Sequence, residues 1–416
     1  MDATRMQVSV VMPSLNQAEF IEDSVNSVLG QDFPHIDLVV ADGGSGDGTL
    51  QRLEALLSAY GPRLRWLSEP DAGPAAAVNK ALGRARGGII GWLNSDDLYA
   101  PGAVAAAVRH FAEHPEAVMV YGEGEHIDAA GRSLGRYPTR PPEAGIDAFH
   151  DGCFICQPTV FLRRAALDAL GPLDETLATA FDFDLWLRLF RRFPGQIARL
   201  DRVQAYSRLH GGCITQRLRR RVALEGMQVL ARHLGHALPH WLLTYFEELY
   251  ASHPFGDDIP DLRAHAAEAL GQARCCLDGN GLRQMESALA GDARLRLALP
   301  GIFASVHADG WAPPLLALRC RGASIGRTLR LRCVHARPQF VPLPVTIKTS
   351  WGGMTQVMVE RPGPFTLVVD FADSVAGGNR VILIESANSF VPQAADPRSA
   401  DTRRLAFKVE GLQLSN

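Results

Sequence analysis

Lysine is nearly absent from this chain: only Lys80, Lys348 and Lys408 carry it, and every other cation among the 42 basic side chains is an arginine, as a GC-rich coding sequence would produce. Against 45 acidic residues this leaves a formal net charge of -3, so no global basic field speaks for a nucleic-acid partner. Long apolar runs are missing too, since no stretch approaches the ~18 uninterrupted apolar residues of a membrane span. The opening MDATRMQVSV lacks the build of a signal peptide, and a cytoplasmic location is the expectation. The seven cysteines are odd in number and scattered without a framework, which suits reduced thiols. The CFIC spacing at Cys153 and Cys156 has no second pair to complete a tetrahedral metal site and no thioredoxin-like surroundings. No internal repeat or low-complexity tract is present.

What the sequence does have is an alternation of short apolar runs and helical patterns. Strands are expected at 8–14, 36–42, 63–69 and 88–94, with helices over 20–30, 49–61, 74–87 and from Pro101. That order predicts an open, mainly parallel sheet with helices on both faces, whose ligands bind outside the carboxyl ends of the strands. After about residue 115 a strand and hairpin, then a helix containing LWLRLFRRF, predict a mixed sheet. Residues 216–291 read as helical, beginning with the basic run RLRRR, and valine- and threonine-rich alternation from about Leu299 predicts a β-sandwich. The expected organisation is an α/β domain over 1–215, a helical segment over 216–291 and the sandwich over 292–416.

Two acidic sites fall at strand ends. Asp96 and Asp97 follow the run GGIIGWLN, and one carboxylate would suffice to cap the helix after them. Two compactly placed carboxylates are what a hard cation such as Mg²⁺ or Mn²⁺ takes, with substrate phosphates completing its shell. Read as an extended segment, the pair would point to opposite sides. The second site, ADGGSGDGT, ends a strand on Asp42 and offers Asp47 as a cap for the helix from Thr49. It is neither a Walker loop, having no Gly-Lys-Ser/Thr, nor a GxGxxG fingerprint.

The ordered segments PSLNQAEFIEDSVNSVLGQDFP, VVADGGSGDGT, SEPDAG, NKALGRARGGIIGWLNSDD, QPTVFLRRAAL, LDE and FDFDLWLRL resemble family 2 inverting glycosyltransferases of the GT-A fold, most of all the bacterial subgroup of O-antigen, capsule and exopolysaccharide assembly. The resemblance spans about residues 7–212. It implies a Rossmann-like mixed sheet and a Mg²⁺- or Mn²⁺-dependent transfer from a UDP-, GDP- or dTDP-sugar to a glycan or a polyprenyl-diphosphate-linked acceptor. Pro13 and Asn16 would lie in the loop closing over the nucleotide, Asp42 would contact the base, Asp96 the donor sugar and Asp97 the metal. Glu69 and Asp71 would border the donor pocket, although Ala76 stands where relatives carry a polar residue. His210, in YSRLHGG, would ligate metal or donate to the leaving phosphate. Asp182 aligns with the catalytic base, but Phe181 replaces the glutamate that commonly precedes it, which leaves Asp184 open as an alternative. The cluster Arg217 to Arg221 could meet a polyprenyl diphosphate or an anionic membrane face, or be a solvated helix end. A nucleotidyltransferase, which also uses carboxylates and Mg²⁺, and a non-catalytic sugar-binding or scaffold protein are the alternatives.

Overall fold

The computed structural model describes residues 6–252, 261–321, 328–371 and 380–415, so the expectations for the first five residues and for 253–260 of the helical stretch lie outside the described residues. The chain divides into two compact units, Met1–Trp241 and Leu242–Asn416.

The first unit opens with β1 (Val8–Ser14), α1 (Ile21–Leu29), β2 (Ile36–Asp42), α2 (Thr49–Tyr60), β3 (Leu64–Ser68), α3 (Pro74–Arg84) and β4 (Ile89–Trp92). β1, β2 and β4 are buried along their whole length, as strands covered by helices on both faces must be. α1 turns Ile21, Val25, Val28 and Leu29 inward at helical spacing. β5 (Leu98–Tyr99), α4 (Ala103–Glu113), β6 (Met119–Ile127), β7 (Ser133–Arg136), β8 (Phe161–Arg163), α5 (Arg164–Leu170), α6 (Phe181–Arg192), β9 (Ile197–Arg208), α7 (Ile214–Arg217) and α8 (Arg219–Leu234) follow.

The sheet runs β3-β2-β1-β4-β8-β6-β9-β5, with β7 paired to β6. Its first four strands are parallel, β8 is antiparallel to both its neighbours, and β6 pairs β9 in parallel. This is the mixed sheet expected of a GT-A fold. The twelve-residue β9 was not foreseen as a strand; charged and polar positions break its apolar pattern because most of it is only partly buried. Asp96 and Asp97 sit in a turn between β4 and β5 rather than in an extended segment, and Asp97 does not cap α4, which starts after Gly102.

The second unit begins near the start of α9 (His240–Ser252) and continues with α10 (Leu262–Ala273), α11 (Gly279–Gly291) and α12 (Ala293–Leu297). Two antiparallel sheets follow, one of five strands and one of three, and they share a single apolar core from Ala293 to Val409. A strand such as Thr328–His335 buries every second residue, the period that a sandwich requires. Among the described residues no helix is long and apolar enough to cross a membrane.

Candidate active site

A cavity of about 460 Å³ opens at the carboxyl ends of β1 and β4. Its wall takes Pro13 and Ser14 from the end of β1, Asp71 and Ala77 from the approach to α3, Asn94 to Asp97 from the turn after β4, and Thr179 to Phe183 from the start of α6. Tyr137, Cys153, Cys156, Arg217 and Trp241 complete the far side.

The acidic turn is held from behind. Asp97 is 3% exposed: its Oδ1 accepts from the backbone N–H of Arg208 at 2.8 Å and its Oδ2 from Asn94 Nδ2 at 3.2 Å. Asn94 also donates to Gln157 Oε1 (3.0 Å), whose amide donates to the carbonyl of Trp92 (2.9 Å). Arg208 sends Nε to the Asp96 carbonyl (2.8 Å) and its NH1 group to the carbonyl of Ala129 (2.8 Å), so the last residue of β9 ties the turn to the strand and to the hairpin after β6. Burial, and next the charge of Asp96, push the Asp97 carboxyl well above its ordinary value. His210 Nε2 meets Asp96 Oδ2 at 3.0 Å, with the ring of Phe20 packed against both His210 and the Arg208 guanidinium. The imidazole therefore meets Asp96, the neighbour of the expected metal ligand Asp97. Among the described residues no group of three or more His, Cys, Asp or Glu side chains forms a metal cage. The oxygen and nitrogen donors of Asp96 and His210 converge beside a second, buried carboxylate; such a set fits a divalent cation that completes its shell with phosphate oxygens.

Asp182 stands at the start of α6, half-buried in the cavity wall. Its Oδ1 accepts from the neighbouring Phe183 N–H at 2.7 Å, and burial pushes the carboxyl up to about 6. Its charge in turn helps hold the Tyr137 hydroxyl and the Cys153 and Cys156 thiols above their ordinary ranges, for each of which burial is the larger cause. Asp184 points elsewhere. It is 3% exposed, outside the cavity wall, and bonded to Arg188 Nε (2.8 Å) and His233 Nε2 (2.8 Å). Burial raises its pKa, yet the His233 hydrogen bond and the charges of Arg188, His233 and Arg232 outweigh that and leave it low. Phe181 is core, stacked on Trp92 at 5.7 Å.

The remaining expected residues divide. Pro13, Asp71 and Asp96 reach the cavity. Asn16, at φ 53°, instead fastens the β1 loop to the glycine-rich loop through Ser45 Oγ (2.7 Å) and the Gly46 N–H (3.0 Å). Asp42 is 1% exposed and outside the wall, its carboxylate accepting from the N–H groups of Gly44 (3.0 Å) and Ser45 (2.8 Å) and from Ser68 Oγ (2.7 Å). Glu69 is exposed and paired with Lys80 at 3.1 Å. Ala76 is buried and it is Ala77 that reaches the wall. Arg208, Asn94 and Gln157 were missed as site residues, although each lies in a segment that carries the resemblance: YSRLHGG, GGIIGWLNSDD and QPTVFLRRAAL. Ser14 Oγ, buried in the wall with no protein partner, was missed as well. Cys153 is pushed up to about 12 by burial, so neither it nor Cys156 offers a thiolate near neutral pH.

The model of the family described as Glycosyl transferase family 2 matches residues 9–171. An uncharacterised glycosyltransferase of Rickettsia conorii is 27% identical over 199 residues, covering 45% of this chain and 32% of that protein. A chondroitin synthase of Pasteurella multocida is 31% identical over 207 residues, covering 49% of this chain and 21% of that protein. The chain thus spans about a third and about a fifth of these two relatives' own lengths. Among solved structures, TarS of S. aureus (residues 1–349) aligns with a TM-score of 0.49 at 20% identity, covering 69% of this chain and 85% of that one.

Proposed function

We propose that this chain, whose residues 9–171 are a family 2 glycosyltransferase domain, moves a sugar from a nucleotide diphosphate to a hydroxyl of a glycan or lipid-linked acceptor, with inversion at the anomeric carbon, in surface polysaccharide assembly. The observation that carries this reading is one cavity whose wall holds two chemically different carboxyls: Asp96, met from outside the wall by His210, and the raised carboxyl of Asp182.

Asp182 is the general base. A carboxyl near 6 is ionised at neutral pH yet basic enough to take the proton of the attacking hydroxyl, and among the described residues no cationic side chain pairs with it. Asp184 is unsuited to that task, since Arg188, His233 and Arg232 hold its oxygens. Asp96 and His210 would hold Mg²⁺ or Mn²⁺, whose charge offsets that of the donor diphosphate. Asp97 then keeps the turn in place through Arg208 and Asn94. Pro13, Ser14 and Asp71 form the donor wall, while Asp42 and Asn16 act on the donor indirectly by shaping the glycine-rich loop. Of the basic cluster, Arg217 reaches the cavity and Arg221 is engaged by Glu225 (2.6 Å), which supports a substrate role only for the former.

The test is a panel of UDP-, GDP- and dTDP-sugars with Mn²⁺, following nucleoside diphosphate release with and without oligosaccharide acceptors. Release of pyrophosphate from a nucleoside triphosphate and a sugar phosphate would replace this reading with nucleotidyl transfer; silence with every donor would leave a sugar-binding scaffold.

A further inference from the structure

The start of α6 lacks its own cap. Ala180 occupies the cap position and has no side-chain acceptor, so the first amides of the helix need another partner. The amide of Ala180 and those of the two residues before it find their partner on a different helix. Glu225 of α8 is 5% exposed and accepts from the N–H groups of Ala178 (3.0 Å), Thr179 (2.7 Å) and Ala180 (3.2 Å) and from Thr179 Oγ1 (2.7 Å), while Arg221 Nε holds its other side at 2.6 Å. Two turns further along α8, Arg232 and His233 reach Asp184 of α6 at 3.4 and 2.8 Å, so the two helices exchange carboxylates at both ends of their contact.

We propose that Glu225 is the positioning residue of the acid–base centre, fixing the backbone at 178–180 so that Asp182, two residues on, projects into the cavity. The proposal rests on the reading of Asp182 as base. A carboxylate is required rather than an amide, because three N–H donors and a hydroxyl converge on two oxygens, and a glutamine would set its own NH₂ against one of them. The anion also suits the positive end of the α6 dipole. Asp182 spends one oxygen on the Phe183 N–H, and Glu225 holds the loop ahead of it, which leaves the second Asp182 oxygen for substrate. A base displaced by about an ångström loses much of its rate, so the contribution appears in turnover and not in donor binding.

The experiment compares full-length wild type, Glu225→Gln, Glu225→Asp and Arg232→Ala, each well below its melting temperature. The probes are UDP-glucose, UDP-N-acetylglucosamine, GDP-mannose and dTDP-glucose with Mn²⁺. Glu225→Gln is expected to lower kcat about tenfold or more with the donor KM within twofold of wild type. Glu225→Asp, which keeps the charge on a shorter stem, should recover part of that loss. Arg232→Ala, which weakens the other end of the same helix pair, should turn over within twofold of wild type. Equal kcat in Glu225→Gln and wild type overturns the positioning role while leaving the glycosyltransferase reading intact, as does a matching loss in Arg232→Ala, which would mark a merely structural effect. If Glu225→Gln does not fold, wild-type kcat in Glu225→Asp overturns the role and a lowered kcat at unchanged KM supports it. A wild type inert with every donor refutes the underlying reading, and the proposal with it.

Discussion

Asp182 and Asp184 lie two residues apart on one helix and meet opposite surroundings, a cavity wall for the first and two arginines and a histidine for the second. Asp182→Asn should leave donor affinity unchanged by calorimetry and lower transfer by roughly 100-fold, the scale of a lost general base. Because the base must be ionised, wild-type kcat should rise with pH through about 6 and level off above it; Tyr137, Cys153 and Cys156, the titratable groups nearest, stay protonated throughout that window. The same shift has a stability sign. A carboxyl raised in the folded state binds more protons than its unfolded counterpart, so stability falls as pH climbs from about 4 to about 6. Asp182→Asn should therefore melt higher than wild type at pH 7, with the difference vanishing by about pH 4. Asp184→Asn should do the reverse, leaving buried cationic partners short of an anion and costing roughly 3 kcal/mol in denaturant unfolding. Wild-type transfer in Asp182→Asn combined with its loss in a folded Asp184→Asn would exchange the two roles.

At the scale of elements, α8 is the least expected participant. Its Arg221 and Glu225 are spaced i, i+4, which in sequence reads as a solvated surface pair; only the packing of α8 against the start of α6 turns Glu225 inward. The next residue, Gly226, would place an added Cβ 2.5 Å from the ring of Trp241, which itself lines the cavity and donates to the His150 carbonyl at 2.7 Å. Alanine is the better helix former by about 1 kcal/mol. Even so, Gly226→Ala should destabilise the protein by about 1–3 kcal/mol in thermal or denaturant unfolding, since the indole must move. An unchanged or raised melting temperature would show that Trp241 gives way freely. The glycine-rich turn after β2 was legible by contrast, although Gly48 and not Asp47 stands at the cap position of α2; Asp47, one residue earlier, accepts from the Thr49 N–H at 3.0 Å.

For the whole molecule, each unit has its own apolar core, one built on β1, β2 and β4 and the other on the sandwich strands. We propose that catalysis belongs to the first: a chain truncated after Ser252, which keeps α9 entire, should still release nucleoside diphosphate from the donor within about an order of magnitude of full length. Folding without nucleotide binding would instead make the second unit part of the donor site. Chelation by EDTA should abolish turnover in both forms and Mn²⁺ should restore it; Asp96→Ala should bind nucleotide no better with Mn²⁺ than without, whereas metal-independent turnover would remove the cation from the mechanism.

The strand and helix order from β1 to α4, the two-residue β5 excepted, and the placing of acidic residues at strand ends were determined by the sequence alone, because period and local capping are short-range properties written in neighbouring residues. The tertiary structure decided which of those acids is available. Asp42 is bonded by its own loop and Ser68, and Asp184 by partners up to 49 positions away. His210 meets Asp96 across 114 positions, and Glu225 reaches back 47 positions to the loop before the base. A carboxylate's role depends on what surrounds it in space, and burial and hydrogen-bond partners of this kind are set by long-range packing that no local pattern encodes.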